Sequence, residues 1–209
     1  MQELYIIRIM SVLQIIKMGH PILRKRASPV IKFSGLERLL SDMKETLSFI
    51  GASGLAAPQV LVNKRIVVYR LKKNRIPKSS NLKFRPWTVM INPVIKPLNN
   101  KQELFWERCL SLPGLHGKVP RYTEILVTYQ NLEEKVIKHK ATSTWAALIQ
   151  HECDHLDGIL YPMRMKDLSK FGYNDTPGDI ATDALANKAS IDPLFLDLVR
   201  KCPKNKLTS

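Results

Sequence analysis

Apolar residues at positions 36, 39, 40, 43, 47 and 50 recur at the three- and four-residue spacing of one helix face, with Glu37, Arg38, Lys44 and Glu45 between them. The spacing predicts a helix over 36–50, with Ser34 as its N-cap. Gly51, Gly54 and Pro58 then stop it. The runs RIVVYRL (65–71) and TVMINPVI (88–95) are β-branched and apolar, so each predicts a strand. The polar, proline-marked stretch 72–86 predicts a loop. A turn at Asn99 and Asn100 leads into a third strand over 102–108, which ends before a turn at Pro113–Gly114. Stretches 124–131 and 134–139 predict a hairpin around Leu132 and Glu133. Helical period returns over 141–156. Residues 172–190 are weakly patterned and predict a loop. Asp192 and Pro193, a cap and a first-turn proline, open a last helix running to Cys202. Antiparallel hairpins combined with separate helices predict an α+β fold rather than a doubly wound sheet.

The chain has 209 residues, 44% hydrophobic and 24% charged, which excludes a disordered chain and predicts one large domain. Three cysteines are too few and odd in number for a disulfide framework; they fit a reducing, cytoplasmic setting. No apolar run reaches the roughly 18 residues that a membrane span needs. Residues 1–19 lack the basic start and cleavage site of a signal peptide. Met10 is an alternative start, which makes 1–9 an N-terminal extension. The formal net charge of +15 favours anionic partners such as nucleic acid, ribosomal RNA or acidic lipid. The basic residues are scattered, with no zinc-finger or RNA-binding signature, so sequence-specific nucleic-acid binding is not expected.

The chemistry concentrates at His151-Glu152-Cys153-Asp154-His155. This is an H-E-x-x-H pattern inside the second predicted helix. Residues i and i+4 lie one turn apart on one face, so two imidazoles reach one metal ion, and the adjacent carboxylate can take a proton from water there. A catalytic metal needs a third protein ligand and an open position. Downstream there is no further histidine, which argues against a zincin endoprotease. Upstream, Cys109 ends a predicted strand; it is either a thiolate ligand or a buried core cysteine. Cys153, two residues from His151, faces elsewhere, and Cys202 lies beside a basic tail. Gln59 reads equally as a polar residue ending a turn or as a functional amide.

Three segments in order, GLAAPQ (54–59), ERCLSLPG (107–114) and QHECDHLDG (150–158), resemble the three signature motifs of the peptide deformylases. IIKMG (15–19), INP (91–93), VPRY (119–122) and GILYPMRMKDLSKFGY (158–173) are also similar to that family. The resemblance implies a catalytic domain over 10–173, followed by a C-terminal loop, helix and basic tail over 174–209. It implies antiparallel sheets packed around a helix bearing the HExxH pattern, with an N-terminal and a C-terminal helix.

The resemblance also implies chemistry. Cys109, His151 and His155 would bind one Fe²⁺, for which Zn²⁺, Ni²⁺ or Co²⁺ can substitute. Metal-bound hydroxide would attack the formyl carbon of an N-formylmethionyl peptide, with Glu152 as general acid and base. The Gln59 amide and the Leu110 N–H would hold the oxyanion. Gly54 would let the peptide backbone approach. Ala147 and Leu148, one turn before His151, would line the methionine pocket. Glu107 and Arg121 would form an ion pair bracing the cysteine strand. The ribosome near its exit tunnel would be a docking partner. Two positions depart from the family pattern. Ala52 stands at the first glycine of the first motif, and Arg108 replaces the glycine before the cysteine. Arg108 would line the substrate cleft, and it leaves two further readings: a deformylase-like protein with altered or lost activity, and a basic ribosome-binding module with a structural metal.

Overall fold

The computed structural model describes residues 12–71 and 83–173. Its elements run α1 (Glu37–Ile50), β1 (Gly54–Ala56), β2 (Ile66–Leu71), β3 (Arg85–Pro97), β4 (Gln102–Cys109), β5 (Leu112–Tyr122), β6 (Glu124–Gln130), β7 (Val136–Thr142), α2 (Ser143–Leu156) and β8 (Phe171–Tyr173). The strands form two antiparallel sheets, one in the order β1-β2-β3-β6-β7 and one in the order β4-β5-β8. The fold class is therefore α+β.

Strand β2 explains how the layers stack. Successive side chains of a strand alternate faces. Val67 and Tyr69 pack with Ala146, Ile149 and Cys153 of α2. Ile66 and Val68 pack with Leu40, Met43 and Leu47 of α1. The five-stranded sheet thus lies between the two helices, and β2, the strand next to its β1 edge, is apolar on both faces. Helix α2 also packs against β5 of the second sheet. Beneath that sheet a third cluster gathers Leu23, Cys109, Leu112, Val119 and Tyr161. Helix α1 stops where Gly51 takes φ 80° and returns its N–H to the Leu47 carbonyl at 2.9 Å, a glycine cap. Among the described residues no helix is long and apolar enough to cross a membrane.

Several boundaries differ from expectation. Ser34 does not cap α1: Gly35 turns the chain at φ 84°, and the helix follows Leu36, which offers no side-chain cap. Strand β3 begins at Arg85, inside the predicted loop, because Arg85 pairs with Leu71 across the sheet. The β4–β5 reversal falls at Leu110 and Ser111, where Cys109 opposes Leu112; Pro113 and Gly114 lie within β5 at the register shift before His116. Strand β7 begins at Val136 and keeps pairing with β6 through Thr142, so α2 starts at Ser143 rather than at 141. The short strand β8 pairs with β5, so Gly172 and Tyr173, the first positions of the predicted loop, are strand; the rest of that loop lies outside the described residues. The N-terminal extension, positions 72–82 of the loop and the predicted helix 192–202 lie outside the described residues.

Candidate metal and catalytic site

Three elements meet at the HExxH face of α2. Helix α2 carries His151, Glu152 and His155, the end of β4 carries Cys109, and a 3-10 turn after β1 (Ala57–Val60) carries Gln59. All five side chains are buried. Cys109 Sγ lies 3.1 Å from His155 Nε2. Ligand atoms of Cys109, His151 and His155 all lie within 4.8 Å of one another. The two imidazoles stand nearly perpendicular, at 81°, with centroids 5.1 Å apart. One thiol and two imidazoles are a donor set for a divalent transition metal, and three protein ligands leave a fourth position open. Glu152 Oε2 and His155 Nδ1 are buried without a hydrogen-bond partner among the described residues. The residues fit a metal.

A chain of charges orients this set. Glu107 Oε2 meets His151 Nδ1 at 2.7 Å, which leaves Nε2 for the cluster. The Arg121 guanidinium donates to both Glu107 oxygens, at 2.6 and 2.9 Å, and through Nη1 to Asp154 Oδ2. Arg164 closes the chain, donating to Asp154 Oδ1 at 2.8 Å and to Oδ2 at 3.2 Å. A histidine ligand whose second nitrogen meets a carboxylate has its ring and tautomer set. Burial alone would raise the Glu107 carboxyl, but the Arg121 charge and hydrogen bonds, with His151, hold it down at about 2. Burial would also raise the Cys109 thiol. His155 and His151 outweigh that and bring it to about 5, so it is a ready thiolate. Glu152 goes the other way: burial lifts its carboxyl to about 7, against the opposing pull of both histidines.

The amide of Gln59 is fixed by its neighbours. Its Oε1 accepts from the Ala56 N–H at 2.9 Å, which aims Nε2 at Ser111 Oγ (3.2 Å) and Cys109 Sγ (3.6 Å). The Ser111 N–H donates to the same sulfur at 3.4 Å. Residues 16–18 tie these loops together: the Ile16 N–H donates to the Gln59 carbonyl at 2.9 Å, and the Met18 N–H to the Ser111 carbonyl at 2.7 Å. Leu110 sits in the turn beside Cys109, partly buried against the α1 core.

The other expected residues fall as follows. A Cβ at Gly54 would stand 2.6 Å from Glu152 Cδ, so the space that this glycine leaves is filled by the Glu152 carboxyl. Ala147 is buried, and Leu148 packs at the edge of the core between α2 and the sheet. Arg108 is half-buried on β4 opposite His116, and its charge acts on Tyr161. Cys153 points into the core, and burial raises its thiol pKa. Sequence reasoning missed Ser111, Asp154 and Arg164. Asp154 carried a signal, a carboxylate three residues after His151 on a buried helix; Arg164 carried none.

The polypeptide deformylase family model matches residues 12–171. Peptide deformylase 1 of Nitrosomonas europaea is 43% identical over 81% of this chain and 97% of its own length. Peptide deformylase 1 of Bordetella pertussis is 43% identical over 77% and 92%. Among solved structures, the Synechococcus elongatus peptide deformylase in complex with actinonin aligns with TM-score 0.68 and 30% identity, over 77% of this chain and 82% of that one. The Acinetobacter baumannii class I type b enzyme bound to Met-Ala-Ser aligns with TM-score 0.68 and 32% identity, over 75% and 100%. A match spanning nearly all the described residues, with the thiol and two imidazoles of its second and third motifs gathered at one point, makes this chain a member of the polypeptide deformylase family, the metal-dependent hydrolases that remove the formyl group from N-terminal methionine.

Proposed function

We propose that residues 10–173 form the catalytic domain, with antiparallel sheets packed around α2, and that Cys109, His151 and His155 hold one Fe²⁺, replaceable by Zn²⁺, Ni²⁺ or Co²⁺. The observation that carries this reading is the convergence of their three donor atoms within 4.8 Å, beside a buried Glu152. A bound divalent ion supplies Lewis acidity, polarising a carbonyl and making water a nucleophile near neutral pH.

The side chains do the rest. Glu152, lifted by burial to about 7, takes a proton from the attacking water on a carboxylate oxygen and delivers it to the leaving amine nitrogen. Gln59 Nε2 carries two hydrogens; one meets Ser111 Oγ, and the other, which faces Cys109 Sγ at 3.6 Å, turns to donate to the developing oxyanion, together with the Leu110 N–H. Each such donor contributes about 3 kcal/mol to lowering the barrier. The substrate is an N-formylmethionyl peptide, a reading supported by the Met-Ala-Ser bound to the Acinetobacter relative. Its main chain runs along the edge strand β1, and Ala147 and Leu148 border the methionine side chain. Arg108 lines the same cleft. The enzyme works in the cytoplasm, and its charge of +15 favours docking near the ribosomal exit tunnel.

The test is turnover of a short formyl-Met peptide by iron-loaded protein, beside Glu152→Gln. The variant should keep its metal and lose at least a thousandfold in kcat. Turnover by the variant at the wild-type rate would refute the assignment.

A further inference from the structure

Helix α2 presents a second chemistry on another face. At about 100° per residue, Gln150, Cys153, Asp154 and Asp157 share a side of the helix turned away from His151 and His155. They open onto a cavity of about 580 Å³ between the C-terminal end of α2, the Pro93–Pro97 stretch of β3 and the end of β5 at Pro120 and Tyr122. Small-ligand sites run from roughly 300 to 1,000 Å³. None of Cys109, His151, Glu152 and His155 lines it.

The lining has two halves. One is apolar: Pro93, Val94, Ile95, Pro97 and Pro120 form a wall, with Val94 65% exposed. The other is cationic: Arg26, Arg65, Arg121, Arg164 and Lys166 face Asp154 and Asp157. Arg121 is fully engaged by Glu107 and Asp154, and Arg65 holds Asp157 at 2.7 Å. Arg26 touches Asp157 only at 3.6 Å, and its side chain is 81% exposed. Lys166 is exposed and makes no ion pair among the described residues. Counting Glu107 with the two aspartates, five cations face three carboxylates, a surplus of about two positive charges. Guanidinium and ammonium groups at a rim match a phosphate, and the proline-valine wall accepts a flat apolar group next to it.

We infer that this cavity is a second binding site, for a phosphate-bearing ligand of nucleotide size, its phosphate on Arg26 and Lys166 and its base or other apolar part against the Pro93–Ile95 wall. The phosphate can belong to a free nucleotide or to a nucleotide within an RNA strand.

The probes are adenosine monophosphate, inorganic phosphate as competitor, and a short single-stranded RNA without terminal phosphates, each titrated calorimetrically into the full chain. Saturable binding of the nucleotide, displaced by phosphate, is expected. Arg26→Glu/Lys166→Glu should weaken it at least tenfold while turnover of a short formyl peptide stays unchanged, since neither residue touches the metal cluster. Lys32→Glu/Lys138→Glu makes the same charge change at exposed positions outside the cavity and should leave binding intact. If only the RNA binds, with the same loss in the first variant, the site stands and RNA is its source. Absence of binding by all probes, or equal weakening in both double variants, would overturn the inference.

Discussion

The Arg121 guanidinium on β5 grips both carboxylate oxygens of Glu107 on β4, at 2.6 and 2.9 Å, while Glu107 in turn meets His151 Nδ1. One cation thus links the strand that delivers the thiol to the helix that delivers the imidazoles. Both partners are buried, and removing one member of a buried pair leaves the other charge uncompensated, at a cost of about 3–5 kcal/mol. Arg121→Met removes the shared cation of two carboxylates, leaving Glu107 with His151 and Asp154 with Arg164. The melting temperature should drop by roughly 10 °C. A calorimetric scan showing an unchanged midpoint would mean that the pair contributes nothing net.

Glu107→Gln separates support from stability. The amide keeps the shape and can still accept from Arg121, but it no longer sets the His151 ring as a carboxylate does. Metal affinity should fall roughly 10–100-fold, as for other partners of metal-bound histidines. Competition with a chelator measures this directly.

Cys109→Ala removes the sole sulfur donor of the cluster. The two imidazoles that remain should not retain a stoichiometric ion through dialysis. Metal analysis of purified variant protein decides it; full occupancy would show that Cys109 is only a core residue.

At Gly54 the added methyl of Gly54→Ala would overlap Glu152 Oε1, so the acid must move by about 1 Å to reach ordinary contact. Misplacing a catalytic group by about 1 Å can reduce turnover roughly 10²-fold. The expected signature is a fall in kcat with metal content unchanged. Loss of metal together with activity would instead point to a disturbed helix.

These contacts mark where the sequence was legible. The H-E-x-x-H spacing exposed His151, Glu152 and His155 because helical period is local, and motif order singled out Cys109 and Gln59. The α+β class followed from antiparallel hairpins combined with separate helices. Arg164 was invisible, because its partner Asp154 is met only after the chain turns back at Tyr161–Arg164. The use of Gly54 was equally hidden: its neighbour Glu152 is 98 residues away in the chain. The boundaries at Arg85 and Ser143 were missed because pairing with Leu71 and with β6 outweighs local propensity there.

Arg108 is one of the two positions, with Ala52, where this chain departs from the family pattern, and the one where function should respond to a single change. The side chain stands next to Cys109 at the register shift that ends β4, half-buried, with its charge felt at Tyr161. On the proposal that Arg108 lines the cleft, its cation would narrow the space for the peptide and offer a partner to its carbonyls, acting on substrate rather than on the metal ligands. Arg108→Gly should therefore leave metal content intact and change kcat/KM on formyl-Met peptides. A tenfold gain would correspond to about 1.4 kcal/mol of transition-state binding recovered. The division between constants locates the effect: a lower KM at constant kcat means that the arginine obstructs binding in ground and transition states alike. A higher kcat means that it misaligns the formyl group at the site. A peptide series with an acidic residue after methionine adds a check, because a guanidinium that contacts substrate should favour those peptides, and the preference should vanish in the variant. Equal rates for both proteins across the series would show that Arg108 is a bystander.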